Sequence, residues 1–268
     1  MAQVKGLNKI TGKFANASFY TIQGGDQVYV RSKGGPTKRA IKTKPQFEKL
    51  RRNNSEWKAC TKMGGSIRYA YFDMKHLEDY PVIGALNAIA KKIQLMDEEG
   101  EHGKRSIYLS RHRALLGGFS LSRKQVLESV LRVPIDALID RESMTARISL
   151  PPIDTRMYLY NFRNLPYFRL FFQLGGESDW KYNEENKSYA AVSETYWKGE
   201  SSFCTDWMST SGTTAAINQL LRYNQETPPL EDSVTLLLTM GLEFGKQGPD
   251  GKPEGVKYAG CGKILRVG

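Results

Sequence analysis

The second half of the chain carries apolar residues at every second position, which is the period of β-strands with one buried face. This alternation is longest over residues 234–244, where six apolar side chains fall on one side. A loop is predicted over residues 245–255, which are rich in glycine, proline and charge. Strands are predicted in six segments, at residues 144–150, 157–160, 168–174, 188–197, 234–244 and 263–267. Together these segments favour an antiparallel β-sandwich.

The middle of the chain has apolar residues three and four positions apart, which is the spacing of amphipathic helices. The most regular stripe comprises Val82, Leu86, Ile89, Ile93 and Met96. A second stripe, with one polar interruption, comprises Phe47, Leu50, Asn54 and Trp57. We expect both stripes to pack inward. A further helix is predicted over 126–131, with a capping box at 122–125 and Pro134 shortly after its end.

The N-terminal region predicts a β-hairpin. Residues 19–22 and 27–31 are rich in aromatic and β-branched residues and flank a turn sequence at 23–26. A hairpin alone is marginally stable, so the rest of the chain or a second subunit must cover its apolar face. A Gly-Gly-Pro break then leads into the basic stretch 37–44, and Pro45 begins a helix.

The predicted fold class is therefore α+β, with an antiparallel β-sandwich body, a helical middle segment and an extended N-terminal hairpin and arm. The corresponding domains are the hairpin and arm at 1–44, the helical segment at 45–131 and the sandwich at 132–268. No stretch approaches 18 consecutive apolar residues, and the N-terminus has no apolar run of signal-peptide length. We therefore expect neither membrane spanning nor secretion.

Positive charge is concentrated in the first quarter of the chain. Residues 1–70 hold 15 Lys and Arg against three acidic residues, a net charge of +12, whereas residues 71–268 have a net charge of −1. Such segregation is typical of a basic arm that binds polyanions or acidic protein surfaces. The predicted docking residues are Arg31, Lys33, Lys38, Arg39, Lys42, Lys44, Lys49, Arg51 and Arg52.

Several interpretations of the basic arm remain open. Roughly five to eight positive groups along a phosphate backbone would give salt-dependent binding with little sequence selectivity. The alternatives are an acidic face of another subunit, or charges that only keep an exposed arm soluble. Tyr20 and Tyr29 of the hairpin are the aromatic pair best placed to stack on nucleic-acid bases. Aromatic residues in sandwich proteins more often pack in cores and interfaces.

No residue pattern predicts a catalytic or metal site. The three histidines lack the spacing of zinc ligands, and the acidic run 97–101 lacks the spacing of a calcium loop. Motifs for nucleotide binding and for hydrolases do not occur in the sequence. Cys60, Cys204 and Cys261 are odd in number and far apart, which favours free thiols in a reducing compartment. We therefore predict no catalytic residue, no metal and no cofactor.

A local motif resembles the start of an uncharacterised group of bacterial proteins. The motif consists of the sequence VYVRSK at 28–33, a Gly/Pro break, and the sequence TKPQF at 43–47 before a helix. In that group a strand reading like "YVRS" precedes a basic linker, a helix and a β-rich C-terminal half. The group is linked to phage-like or mobile elements and has no established activity. The resemblance implies a role in assembly and carries over no catalytic residue.

We accordingly predict a non-enzymatic structural or assembly protein whose basic arm docks on neighbouring subunits of a phage-like or mobile-element particle. The expected partners are further copies of the chain or other subunits. The alternative is a nucleic-acid-binding protein whose arm contacts the phosphate backbone without strong sequence specificity. The predicted location is the cytoplasm, or a particle assembled inside the cell.

Overall fold

The computed structural model describes residues 2–4, 11–21, 27–32, 34–194, 196, 198–223 and 230–268. The chain divides into two compact units, residues 1–51 and residues 52–268. This boundary, at 51/52, lies inside one continuous helix, Glu48–Tyr69. The boundaries expected from the sequence were at 44/45 and 131/132.

In the first unit, the described strands form one antiparallel sheet of four strands, here called the N-terminal sheet. Its order along the hydrogen-bonding direction is β1-β4-β3-β2. The strands are β1 (Ala2–Val4), β2 (Gly12–Phe14), β3 (Ala17–Thr21) and β4 (Val28–Ser32). The pairing of β3 with β4 confirms the strands of the predicted hairpin. The predicted turn at 23–26 lies outside the described residues.

The basic stretch after β4 is helical over α1 (Lys38–Thr43), so the prediction of an extended chain at 37–44 was wrong there. The Thr37 hydroxyl accepts a hydrogen bond of 3.1 Å from the Ala40 amide, which is a typical N-cap. A 3₁₀ turn at Pro45–Phe47 follows, with proline in its first turn as expected. It leads into the long helix α2 (Glu48–Tyr69).

The second unit continues with short helical segments. The α-helices are α3 (Val82–Gln94), α4 (Leu127–Val130) and α5 (Thr155–Tyr158). The 3₁₀ segments are Phe72–Leu77, Leu109–Arg111 and Arg113–Leu115. α3 contains four of the five residues of the most regular apolar stripe, and Val82, Leu86 and Ile93 are buried as expected. The expectation was wrong for Met96, which lies beyond the helix and is 41% exposed. The predicted capping box was wrong, because α4 begins after Val126 without a side-chain cap and the Ser122 hydroxyl accepts a hydrogen bond from Gly262 instead.

The apolar stripe predicted for α2 was also wrong. Leu50 and Trp57 are exposed at 41% and 48% of their surface. The side chains of α2 that are buried are instead Glu56, Ala59, Cys60, Met63 and Ile67. Small and polar residues dominate this face, so its hydrophobic period is weak in the sequence.

The remaining described strands are β5 (Asp136–Asp140), β6 (Thr145–Leu150), β7 (Tyr167–Ser178), β8 (Trp180–Asn183), β9 (Ser188–Ala191), β10 (Ser201–Cys204), β11 (Met208–Ser209), β12 (Ile217–Arg222), β13 (Val234–Gln247) and β14 (Pro253–Val267). Five of the six predicted strand segments contain a strand. The exception is 157–160, where α5 forms. The predicted loop at 245–255 shortens to 248–252, because β13 and β14 extend into it.

The body of the second unit is sandwich-like. Among the described strands, β10-β7-β13-β14 with β11 at its side form the large sheet, and β12-β6-β5 form the small sheet. One buried cluster joins the two sheets, with side chains such as Ile148 from the small sheet and Phe172 and Met240 from the large one. This arrangement is the predicted α+β fold with antiparallel sheets.

Helices cover the other face of the large sheet. Phe171 and Leu237 on that face belong to a second buried cluster with Met63 of α2 and Leu86 of α3. The central strands β7 and β13 are consequently buried on both faces over most of their length. None of the helices in the described residues is long and apolar enough to cross a membrane.

Candidate nucleic-acid interface

The N-terminal sheet has two chemically different faces. Side chains alternate across each strand, and the register places Ser18 opposite Arg31 and Tyr20 opposite Tyr29. Lys13 of β2 pairs with Ser18 and therefore shares this face. The face thus carries two bases and two aromatic rings. We call it the aromatic-basic face.

Alternating residues of the same strands form an apolar face. It carries Phe14, Ala17, Phe19, Val28 and Val30. The separation of apolar from basic side chains explains why these short strands hold one register, since a shift by one residue would exchange the two faces.

The tyrosines of the aromatic-basic face are stacked across the strands. The ring centroids of Tyr20 and Tyr29 lie 6.0 Å apart with an angle of 30° between the ring planes. The guanidinium carbon of Arg31 lies 6.0 Å from the centroid of the Tyr20 ring. Both tyrosines are half-buried, so their orientation is restrained by the sheet, while Arg31 and Lys13 are exposed. Such a face offers flat π-surfaces beside positive charge.

Helix α1 places three basic residues together. Lys38 and Lys42 are four residues apart and Arg39 and Lys42 three apart, so the three side chains lie on one side of the helix. All three are exposed. The charges repel one another in the absence of a partner, which is the electrostatic condition that a bound polyanion relieves.

A groove of about 450 Å³ runs beside α1 in the first unit. Its lining residues are Gly35, Pro36, Thr37, Arg39, Ala40, Thr43, Lys44, Gln46 and Phe47. Two cationic side chains, Arg39 and Lys44, stand in this groove with the amide of Gln46. These groups donate hydrogen bonds of the kind that phosphate oxygens accept.

Other predicted docking residues have different positions. Arg51 is half-buried and its Nη1 donates hydrogen bonds of 2.8 and 2.9 Å to the carbonyls of Ile41 and Lys44, so it closes the C-terminal end of α1 rather than facing a ligand. Lys49 and Arg52 are exposed, and Arg52 belongs to the second unit.

Lys33 lies outside the described residues. Lys13 was missed by the sequence analysis, because its strand has only three residues and no alternation to read. Its place on the aromatic-basic face follows only from its pairing with Ser18.

The second unit contains an ionic cluster around the buried carboxylate of Glu243 that the sequence did not predict. Arg169 donates two hydrogen bonds of 2.9 and 2.8 Å to one oxygen of Glu243, and His76 Nε2 lies 3.3 Å from the other. The Arg169 guanidinium carbon lies 4.8 Å from the Phe171 ring centroid and 4.4 Å from that of Trp207. Burial raises the pKa of Glu243, but His76 and Arg169 outweigh burial and hold it below its usual value. The cluster is internally paired.

The cysteines are free thiols with raised pKa values. Burial raises the pKa of Cys60 to about 11 and that of Cys261 to about 12. The pKa of the exposed Cys204 is also raised, first by desolvation. All three are therefore protonated at neutral pH, which is unfavourable for a nucleophile or a metal ligand.

In the part of the chain that the structure describes, no group of three or more His, Cys, Asp or Glu side chains is arranged to hold a metal ion. Comparisons of the chain with models of known protein families, with curated proteins and with solved structures found no match.

Proposed function

We propose that the first unit binds single-stranded nucleic acid with little sequence selectivity. The observation that carries the proposal is the aromatic-basic face, where the stacked pair Tyr20 and Tyr29 lies beside Arg31 and Lys13. The nucleobases stack on the tyrosine rings. The phosphates contact Arg31 and Lys13 of the sheet and the cationic residues of α1 and its groove. Stacking is tolerant of sequence because every base has a π-face.

The distribution of charge supports a polyanion over a second copy of this chain. Residues 1–51 hold 11 Lys and Arg against two acidic residues, a net charge of +9. Residues 52–268 hold 28 basic and 26 acidic residues, a net charge of +2. A second copy therefore offers no overall negative body to attract the first unit, whereas a phosphate backbone does.

The direct test is fluorescence anisotropy of a labelled oligothymidine of about 20 nucleotides titrated with the full chain at several salt concentrations. If about six phosphates are neutralised, the slope of log K against log salt is roughly −4, because each contact on a single strand contributes about −0.7. Absence of binding at low salt contradicts the proposal.

Two variants separate the parts of the site. The quadruple variant K38Q/R39Q/K42Q/K44Q lowers the magnitude of the salt slope by about 3. Its matched control replaces four exposed lysines of the second unit, in K92Q/K124Q/K252Q/K257Q, and changes the total charge equally. Equal loss in both variants means that net charge alone acts, which contradicts a defined interface.

Stacking is tested with Tyr20→Leu and Tyr29→Leu, which keep an apolar side chain on the sheet. Each change weakens binding about tenfold, since one stacked base contributes about 1–3 kcal/mol. The control is Tyr258→Leu, an exposed tyrosine of the second unit beside Lys257. Unchanged affinity in both hairpin variants removes stacking from the mechanism.

A second candidate function is assembly of a phage-like or mobile-element particle through contacts between copies. One observation favours it: the exposed carboxylates of Glu98, Glu99 and Glu101 lie next to Leu95 and Met96, which are exposed at 57% and 41%. This segment supplies a local acidic and apolar surface on which the basic unit of a second copy docks.

Size-exclusion chromatography with light scattering tests assembly on the full chain. Under this candidate function the chain forms oligomers at low salt, and E98Q/E99Q/E101Q shifts the mass toward the monomer. A monomer at every protein concentration contradicts this candidate function and leaves the nucleic-acid proposal unaffected. For either function we propose a cytoplasmic location, which the three free thiols support.

A further inference from the structure

A pocket of about 500 Å³ lies in the second unit. Its lining residues include none of the residues of the proposed nucleic-acid interface. Its lining residues are Lys62, Ser66, Tyr69, Gly176, Trp180, Tyr196 and Glu200. Helix α2, the end of β7, the start of β8 and the segment before β10 supply them. The volume is in the range of sites that hold small molecules.

Glu200 lines this pocket, and Glu177 follows the lining residue Gly176; each carboxyl has one buried oxygen without a hydrogen-bond partner among the described residues. Glu177, next to Gly176, is completely buried, and its Oε1 accepts a 2.8 Å hydrogen bond from the Trp180 indole while Oε2 has none. On Glu200, Oε1 is the oxygen left unpaired. An unsatisfied buried polar atom costs about 1–3 kcal/mol, so a rearrangement of the Glu200 side chain that gives its carboxyl a partner in the pocket is favoured.

Burial also raises the pKa values of these carboxyls, which favours their protonated forms. Desolvation raises the pKa of Glu177 to about 8, with Ser66 and Trp180 acting in the opposite direction. Desolvation and the nearby Asp73 raise the pKa of Glu200 to about 7. A protonated carboxyl both donates and accepts a hydrogen bond, so Glu200 in this form matches a ligand that does the same.

The walls of the pocket are aromatic. Tyr69, Trp180 and Tyr196 contribute rings, and Tyr69 is 46% exposed at the rim. The Tyr196 hydroxyl and the Ser66 hydroxyl are 2.6 Å apart, which fixes the Tyr196 ring. Flat apolar rings together with a few polar groups suit a ligand with one apolar face and several hydroxyls.

Charge disfavours ionic ligands. The Lys62 ammonium lies 5.8 Å from the Trp180 ring centroid and donates to the Tyr189 carbonyl, so a positive group already occupies the wall. Lys75 is close enough to Glu200 to lower its pKa. A cationic ligand would meet the Lys62 ammonium in the wall, and an anionic ligand would meet the Glu200 carboxylate whenever that group is ionised.

We propose that this pocket binds a neutral saccharide of one or two sugar units. The sugar ring stacks its apolar face on Tyr69 and Trp180. Its hydroxyls pair with the carboxyl of Glu200, which lines the pocket.

The test uses the full chain and a panel of glucose, galactose, mannose, N-acetylglucosamine, cellobiose and maltose at up to about 10 mM, with saturation-transfer NMR and tryptophan fluorescence as readouts. At least one sugar binds saturably, with a Kd of about 0.1–5 mM. Choline and glutamate, the charged probes, do not bind. Absence of saturable binding by every sugar, or preference for a charged probe, overturns the proposal.

Variants test whether the sugar binds in this pocket. Tyr69→Ala weakens binding at least tenfold, and its control Tyr258→Ala leaves the affinity unchanged. Glu200→Gln, which keeps a donor and an acceptor, retains affinity within about threefold, whereas Glu200→Leu loses it. The control for Glu200→Leu is Glu185→Leu. Tyr69 is exposed, so Tyr69→Ala keeps the test decisive if Glu200→Leu fails to fold. Wild-type affinity in Tyr69→Ala and Glu200→Leu overturns the proposal.

Discussion

The ammonium of Lys91 on α3 lies 2.6 Å from the carboxylate of Glu56 on α2, and only 1% of Glu56 is exposed. The Gly103 amide donates a hydrogen bond of 2.8 Å to the other carboxylate oxygen of Glu56, and Arg105 Nε lies 3.6 Å from that same oxygen. This carboxylate therefore joins two helices and a loop. Burial raises its pKa, but Lys91, Gly103 and Arg105 outweigh burial and hold it below its usual value.

Replacing Lys91 with methionine lowers the free energy of unfolding by about 2–4 kcal/mol, because it leaves a buried carboxylate with fewer partners. The matched control is Lys92→Met, at the next and exposed position, which changes stability by less than about 0.5 kcal/mol. Urea unfolding at neutral pH measures both. Similar effects of the two substitutions would contradict a specific role for the ion pair.

The pH dependence of the same group has a defined sign. The folded-state pKa of Glu56 is lowered, so its stabilisation is present above the unfolded value of 4.5 and is lost as pH falls through the folded value. The stability difference between the wild type and Glu56→Gln is therefore greatest at neutral pH and shrinks below pH 4.5. Urea unfolding along a pH series measures it, and a constant difference would argue against this linkage.

For Glu177 the expected dependence of stability on pH has the opposite sign. Its pKa rises from 4.5 to about 8 on folding, so the native state holds more protons than the unfolded state between these values and stability falls as pH rises. Glu177→Gln removes this loss and is more stable than the wild type at pH 8 by on the order of 3 kcal/mol, with little difference near pH 4.5. Unfolding at the two pH values, with Glu185→Gln as the exposed control, decides the point.

Two adjacent glycines of α2 predict opposite effects of alanine. An alanine side chain at Gly64 would overlap with the buried amide side chain of Asn87, whereas one at Gly65 meets nothing within 4 Å. Gly64→Ala lowers the free energy of unfolding by about 1–3 kcal/mol through overpacking. Gly65→Ala raises it by about 0.5–1 kcal/mol, because alanine favours the helix. Thermal or urea unfolding of the two single variants compares them, and equal signs would contradict this packing.

Arg169 predicts a difference between arginine and lysine. Arg169→Lys keeps the charge beside Glu243 but loses the second hydrogen bond and the planar group between Phe171 and Trp207. We expect a loss of about 1–3 kcal/mol in the free energy of unfolding. The exposed Arg156 gives the control, since Arg156→Lys has almost no effect. A neutral result for Arg169→Lys would show that charge alone stabilises the cluster.

The sequence predicted those elements whose apolar period is strong. β13 and α3 are examples, because large apolar residues recur at regular spacing on one face of each. α2 was misread, since its inward face contains Ala59, Cys60 and a charged residue, Glu56, whose burial depends on Lys91 from another helix. Propensity and periodicity do not contain such tertiary pairing.

The candidate sites divide in the same way. Tyr20, Tyr29 and Arg31 are close in sequence on one hairpin, so charge and strand alternation were enough to single them out. The pocket residues Ser66, Trp180 and Glu200 come from distant segments, and no spacing in the chain links them. Only the packing of α2 on the end of β7 brings them together.

The pairing of β7 with β13 has a consequence for how the second unit folds. β13 and β14 are joined by the short segment 248–252, whereas Ser178 and Val234, the closest pair between β7 and β13 along the chain, are 56 residues apart. The β13–β14 hairpin closes a short loop at a small entropic cost. Pairing of β7 with β13 requires the closure of a much longer loop, which lowers the folding rate. Until that closure, β7 presents apolar side chains and the open edge that later pairs with β13, so refolding intermediates are expected to self-associate.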